Sequence, residues 1–200
     1  LVDVLTGEIR ETDVSVGGGK ILGFSHTEAV KVVDARGAYL LPGLIDAHIH
    51  IESSMVSPAR FAGLVLPHGT TSVVADPHEI ANVHGLEGIR YMLENGRHLP
   101  LNIFIALPSC VPATPFEDSG AVLSAEELEE LIDDPKVTGI GEMMNFPGIT
   151  ASAEPTHNIT GETLKAGKII TGHYSIPETG RGLNASVSYT HLTLPTNSVV

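Results

Sequence analysis

The sequence predicts an α/β protein in which a parallel sheet follows a short antiparallel β-unit. Three observations indicate this fold class. Glycine-interrupted β-like runs fill the first forty residues, strand-like and helix-like runs alternate after them, and each later strand-like run closes on polar side chains. With 200 residues, 42% of them hydrophobic and 18% charged, the chain can bury a sizeable core and has the composition of an ordinary soluble globular protein.

The first segment, residues 1–41, is composed of three short β-like runs. They read LVDVLTGEI, TDVSVGGGKILGF and AVKVVDARGAYL. Gly7, the Gly17-Gly18-Gly19 run and Gly37 supply the turns between and within them. This segment is therefore predicted to form a small antiparallel β-unit.

After Pro42 the pattern changes to alternating strands and helices. Strands are predicted at 44–50, 71–76, 102–107, 137–143 and 169–173. Helices are predicted at 58–67, 84–96, 124–133 and 156–166. The third helix has the clearest start, because Ser124 and Glu127 have the spacing of a capping box. The alternation predicts five βα units and a parallel sheet.

The strand ends bring together side chains that suit metal chemistry. His48 and His50 lie two residues apart, so a strand presents both to the same face. The carboxyl ends of parallel strands share one rim, where βα loops build active sites. The other polar residues at these ends are Asp76, His78, Glu79, Ser109, Glu142 and His173.

Nitrogen and carboxylate ligands of this kind suit zinc, manganese or ferrous iron. His48, His50 and His173 can each supply a nitrogen, and the two oxygens of Glu142 can bridge two cations. A pair of such ions makes a water molecule acidic near neutral pH. The implied chemistry is hydrolytic attack on an electrophilic carbon.

The histidine pair stands in a longer motif, PGLIDAHIH, that resembles the first-strand signature of the amidohydrolase superfamily. Five further stretches resemble the bacterial adenine deaminases of that superfamily. They are HIHIESSM, LPHGTTSVVADPHEIANVHGLEGIRYM, PSCVPATPFE, GIGEMMNFPG and TGHYSIPETGRGLNA. The resemblance extends over nearly all of residues 1–185.

This resemblance implies a metal-dependent hydrolase that converts adenine to hypoxanthine and ammonia. It also implies that residues 42–185 form the first five βα units of a (β/α)₈ TIM-like barrel. Residues 1–41 would then be part of a small β-sandwich domain. The Ser/Thr-rich residues 186–200 depart from the family pattern, and we expect them to be a non-native tail without function.

By the same resemblance, the cofactor is a binuclear divalent metal centre, with manganese favoured and iron or zinc as alternatives. His48 and His50 would bind one metal, Glu142 would bridge the pair and act in catalysis, and His173 would be the fifth-strand ligand. Four more residues would line the substrate pocket or support the ligands: Glu52, His78, Glu79 and Ser109. A sixth-strand histidine and an eighth-strand aspartate of the family have no position here, so we expect this chain to be an inactive fragment.

Charge and cysteine content exclude several functions. The formal charge of −13 disfavours nucleic acid and membrane surfaces as partners. The resemblance implies a small purine base as the substrate. The single cysteine, Cys110, excludes an internal disulfide and a thiolate zinc cage, and it fits the cytoplasm. It also excludes the zinc nucleobase deaminases, which need a Pro-Cys-x-x-Cys motif. Homo-oligomerisation stays open.

Two alternatives remain at this stage. One is a different amidohydrolase that hydrolyses a cyclic amide, although such relatives usually have a lysine at the position of Glu142 in GIGEMM. The other is a partial barrel without catalytic activity.

Overall fold

The computed structural model describes residues 1–114, 116–174 and 179–189, and the chain divides into two compact units, Leu1–Leu44 and Ile45–Val200. The first unit contains two antiparallel hairpins. Their strands are β1 (Val2–Asp3), β2 (Glu8–Ile9), β3 (Ser15–Gly17) and β4 (Lys20–Gly23). Gly18 and Gly19 join β3 to β4 with φ of 58° and 73°. Two consecutive left-handed residues make the tight hairpin turn that the sequence predicts.

The third predicted β-run, residues 29–40, forms no strand in the structure, so that part of the prediction is wrong. Its chain contacts β1 through one backbone hydrogen bond, from the Val2 N–H to the Leu40 carbonyl at 2.8 Å. Val30, Val32 and Val33 are exposed. An alternating apolar run becomes a stable strand only when one face packs against other residues, and these side chains have no such layer.

The second unit is built on one five-stranded sheet. The strands stand in chain order, and together they form a curled half of a TIM-like barrel. They are β5 (Leu44–Ile49), β6 (Thr70–Ala75), β7 (Asn102–Pro108), β8 (Val137–Met143) and β9 (Ile169–Gly172). Each predicted strand is present, with its ends within one residue of the prediction. The partial α/β barrel predicted by the sequence is therefore confirmed.

Helices follow the strands as the βα pattern requires. They are α1 (Pro58–Val65), α2 (His78–Gly96), α3 (Ala125–Ile132), α4 (Phe146–Thr150), α5 (Glu154–Lys165) and α6 (Arg181–Tyr189). The predicted capping box is confirmed: Ser124 Oγ accepts from the Glu127 N–H, and Glu127 Oε2 accepts from the Ser124 N–H. The short α4 was not predicted. Neither was α6, which includes the first four residues of the predicted tail; residues 190–200 lie outside the described residues.

Helix α2 begins six residues earlier than the sequence predicts and is broken at Gly85. Gly85 has φ 59° and ψ −141°, a conformation that a side chain would strain. The break leaves the Asn82 carbonyl available, and it accepts a hydrogen bond from the Gly120 N–H at 2.8 Å. The loop after β7 therefore packs against α2 at this break. The break divides α2 into a first segment at the rim and a second segment along the sheet.

The core of the second unit lies between the sheet and helices α2 and α3. Fully buried Ile105 and Leu107 of β7 form its centre, next to Ile140 of β8. The second half of α2 contributes Met92, and α3 contributes Leu128. This packing fixes the carboxyl ends of the strands. Among the helices that the structure describes, none combines the length and apolar composition needed to cross a membrane.

Candidate metal centre at the barrel rim

The polar residues predicted from the strand ends all lie at the carboxyl side of the sheet. His48 is the next-to-last residue of β5, and His50 is the first residue after that strand. Asp76 follows β6, Ser109 follows β7, Glu142 is the next-to-last residue of β8, and His173 follows β9. His78 and Glu79 form the first turn of α2.

Three of these side chains converge on one point. His48 Nε2 lies 3.2 Å from His50 Nε2 and 3.0 Å from Glu142 Oε1, and His50 Nε2 lies 3.5 Å from Glu142 Oε2. The three residues form a group whose donor atoms could all contact one cation. The same-face arrangement of His48 and His50 is the one that strand alternation predicts.

The orientation of the His50 ring leaves one nitrogen available for a metal. Its Nδ1 lies 2.7 Å from the carbonyl oxygen of Asp76, so Nδ1 carries the proton and donates it there. When the ring is neutral, Nε2 is then the unprotonated nitrogen, and it faces His48 and Glu142. Ligating histidines in proteins are commonly oriented by such a bond to a carbonyl.

Glu142 reaches this point because β8 is irregular just before its end. Between the pairs Ile140–Ile170 and Met143–Gly172, β8 has one residue more than β9, which is a β-bulge. Glu142 has φ 26°, in the left-handed region that non-glycine residues rarely adopt. A bulge re-aims a side chain, and here it aims Glu142 at the histidine pair.

A second group shares Glu142. His78 Nδ1 lies 2.5 Å from Asp76 Oδ1 and 3.9 Å from Glu142 Oε2. Asp76 is fully buried and His78 is 6% exposed. The short contact between them is not aligned as a hydrogen bond, and the buried oxygens of Asp76 and nitrogens of His78 have no hydrogen-bond partner. Their donor atoms also lie close enough together, with Glu142, to contact one cation.

Electrostatic interactions in the first group favour a paired, charged state. The hydrogen bond with His48 lowers the pKa of Glu142 to about 2, and the histidine charges add to this effect. The same hydrogen bond raises the pKa of His48 above its ordinary value. Burial raises the pKa of Asp76 strongly enough to outweigh the opposite effect of His78. A cation placed among these groups would take over the role that protons have here.

The remaining predicted residues surround the two groups or stand apart from them. Glu79 Oε2 lies 3.3 Å from His50 Nδ1, and Glu79 Oε1 accepts from Ser53 Oγ at 2.6 Å. Glu52 Oε1 accepts from the Ile80 N–H at 3.3 Å, at the start of α2. Their roles toward substrate remain predictions.

His173 is half-buried at the end of β9, and in the part of the chain that the structure describes it is in neither group. Its role as a ligand remains a prediction. Asp76 is the residue that the sequence reasoning left out of the ligand set. The signal was its position at a strand end, directly before Pro77 and two residues from His78.

The geometry of the first group fits a small divalent cation. Two ligand atoms about 2.1 Å from a zinc ion, at a tetrahedral angle of about 110°, lie about 3.4 Å from each other. The separations of 3.0, 3.2 and 3.5 Å between the donor atoms match this value. The buried oxygens of Asp76 and nitrogens of His78, which have no hydrogen-bond partner, support the same conclusion for the second group, because buried polar atoms without hydrogen bonds are costly.

Comparison with known proteins identifies the chain's relatives. It is similar to adenine deaminases from Nitratidesulfovibrio vulgaris (58% identity over 173 residues), Clostridium botulinum (49% over 195) and Moorella thermoacetica (47% over 189). These alignments cover 86%, 94% and 92% of this chain, but only 30%, 33% and 32% of the relatives. The chain thus spans about a third of the length of these curated relatives.

A profile of the amidohydrolase family matches residues 39–191, which include all five strands of the half-barrel and both ligand groups. This match covers more than half of the chain. The chain therefore belongs to the amidohydrolase family.

Proposed function

We propose that the protein to which this chain belongs hydrolyses adenine to hypoxanthine and ammonia with a divalent metal. The observation that carries the proposal is the Glu142 carboxylate, which both ligand groups share at the carboxyl rim of the sheet. Family membership and the names of the three relatives support the reaction and the substrate. The substrate would be a small purine base, with no nucleic acid or membrane partner.

His48 and His50 would hold one cation through their Nε2 atoms, and Glu142 would add an oxygen to it. Asp76 and His78, together with the other Glu142 oxygen, are the donors available to a second cation. When bound, such cations supply Lewis acidity that lets a water molecule lose its proton near neutral pH. We propose a binuclear centre on this basis, with manganese favoured and iron or zinc as alternatives, because the donors are all nitrogen or oxygen.

The reaction adds water to the carbon that carries the amino group of adenine and releases that group as ammonia. Groups that hold and move protons must therefore stand next to the metal ligands. Glu79 is placed for such a role, since it contacts His50 and is half exposed at the rim. Ionised Glu142 supplies negative charge between the histidines, where it would hold a cation rather than donate a proton.

We further propose a cytoplasmic location, and we expect the 200-residue chain alone to be inactive. By the resemblance, the eighth-strand aspartate that would move the proton and the sixth-strand histidine ligand are not among its residues. Homo-oligomerisation of the whole protein is compatible with this proposal.

The experiment compares Glu142→Gln with His26→Ala in the full-length protein. Glutamine keeps the size of the side chain and removes its charge, so we expect metal content, measured by mass spectrometry, to fall together with the rate of ammonia release from adenine. The loss of rate should be about 100-fold, at the upper end of effects seen when metal sites are disturbed. His26 is exposed in the first unit, and its replacement should change neither quantity.

Two outcomes would contradict the proposal. A Glu142→Gln protein with full metal content and full rate would remove Glu142 from the metal site. Metal-loaded parent protein that leaves adenine unchanged but hydrolyses a cyclic amide such as hydantoin would refute the substrate assignment.

A further inference from the structure

The backbone of Glu142 is held in a conformation that a strand residue does not adopt by itself. Its φ of 26° and the bulge in β8 both depart from regular strand geometry. We propose that Ser109 is the positioning residue that holds this conformation and so aims the Glu142 carboxylate at the metal ligands. The inference rests on the proposed function for the part that Glu142 has in metal binding, and on the hydrogen bonds of Ser109 for the rest.

The direct evidence is a hydrogen bond between the ends of two neighbouring strands. Ser109 Oγ donates to the carbonyl oxygen of Glu142 at 2.9 Å. The last paired residues of β7 and β8 are Pro108 and Gly141, so this bond comes one residue beyond the backbone ladder. The Ser109 hydroxyl thus continues the pairing of the two strands at the position where the bulge occurs.

Burial makes this bond selective for a hydroxyl group. Ser109 is 8% exposed, and its Oγ also lies 3.2 Å from the Cys110 Sγ. A serine hydroxyl has a single proton, which here goes to the Glu142 carbonyl, so the thiol is the donor in the second contact. The proton of Ser109 is therefore committed to the backbone, and Ser109 positions Glu142 rather than donating a hydrogen bond to a substrate.

The consequence of losing the bond follows from strand alternation. In a regular β8, Glu142 would point to the same face as Ile140, two residues before it. Ile140 faces the helix layer, where it lines a small cavity with Leu128, Ile132 and Ile159. Strained backbone conformations persist only when surrounding contacts enforce them. Without the Ser109 bond, the carboxylate should lose its fixed direction toward His48 and His50.

The test uses the 200-residue chain with Ser109→Ala, Ser109→Thr and a matched control, Thr138→Val. Thr138 Oγ1 also donates from one strand of this pair to the other, to the Ile105 carbonyl at 3.2 Å, but at the opposite end of β8. The first measurement, made without metal, is the ¹³Cα and ¹³Cβ chemical shifts of Glu142, which report its backbone conformation. The second is the affinity for Mn²⁺ by titration calorimetry.

We expect Ser109→Ala to move the Glu142 shifts toward ordinary strand values, and Ser109→Thr and Thr138→Val to leave them in place. The Mn²⁺ affinity should fall about 10-fold to 100-fold in Ser109→Ala, as for other residues that orient metal ligands, and by less than about 3-fold in the other two. If Ser109→Ala does not fold, Ser109→Cys replaces it: a thiol is a weaker donor, and the Glu142 shifts should move in the same direction by less.

The proposal is overturned if the Glu142 shifts stay unchanged in the variants that lose or weaken the hydroxyl. It is also overturned if Thr138→Val weakens Mn²⁺ binding as much as Ser109→Ala does, because the effect would then be general packing. A parent chain that binds no Mn²⁺ would count against the proposed function, while the chemical shifts would still decide the role of Ser109.

Discussion

Replacing Gly141 with alanine should destabilise the second unit, because the site of the new methyl group is already occupied. A Cβ at this position would lie 2.2 Å from Asp76 Oδ2, 2.7 Å from Asp76 Cγ and 2.9 Å from Ala106 Cβ. An ordinary contact needs 3.4 Å or more, so the buried carboxylate would have to move by about 1.2 Å. Overpacking of a core costs about 1–3 kcal/mol, and about 2 kcal/mol corresponds to about a 30-fold change in the folding equilibrium.

The measurement is urea unfolding followed by far-ultraviolet circular dichroism, with the slopes of parent and variant compared. Gly63→Ala is the matched control, since a Cβ there meets no atom within 4 Å and Gly63 lies inside α1. It should stabilise the protein by about 0.5–1 kcal/mol, because alanine loses less backbone entropy than glycine on folding. A Gly141→Ala unfolding free energy within about 0.5 kcal/mol of the parent would refute the reasoning, since it would mean that Asp76 is not confined by β8.

Two further predictions concern helix ends and surface charge. Asp134 forms an ion pair with Arg97. Burial acts to raise the pKa of Asp134, but hydrogen bonds from the Lys136 N–H and from Arg97 lower this pKa overall. The contribution of ionised Asp134 to stability should therefore be present above the ordinary pKa of about 4 and disappear as the pH falls through the lower pKa of the folded state. Asp134→Asn should therefore destabilise the protein at pH 7 and progressively less as the pH is lowered, whereas exposed Asp133→Asn should have little effect in urea unfolding at pH 7. Ser124→Ala should cost about 1 kcal/mol of unfolding free energy and Ser124→Asp much less, because aspartate also caps a helix; equal losses would contradict the capping role.

Local signals in the sequence were sufficient for most of the half-barrel. The capping box of Ser124 needs only neighbouring residues, and so does the turn at Gly18 and Gly19. The histidine pair could be placed on one face because alternation is a property of any strand. The ends of the five strands were also predicted to within one residue, because each strand is a short, mainly apolar run between polar ends.

Features that depend on contacts between distant residues were not predicted. The bulge at Glu142 depends on contacts of β8 with β9 and with Ser109, which follows β7, and nothing in GIGEMM signals it. The approach of Asp76 to Glu142 depends on the close contact between the Asp76 side chain and Gly141 of β8. Helix α2 was predicted from His84 onward, whereas in the structure it begins at His78 and is broken at Gly85.

The break in α2 affects how substitutions in the core influence the side chains at the carboxyl rim of the sheet. The segment after Gly85 carries Ile89 and Met92 into the core, while the segment before it carries His78 and Glu79 to the rim. Because Gly85 interrupts the helical backbone conformation, we expect a rotation of the second segment to be only weakly transmitted to the first. Substitutions that repack the core around Met92 should therefore leave the positions of the rim side chains largely unchanged.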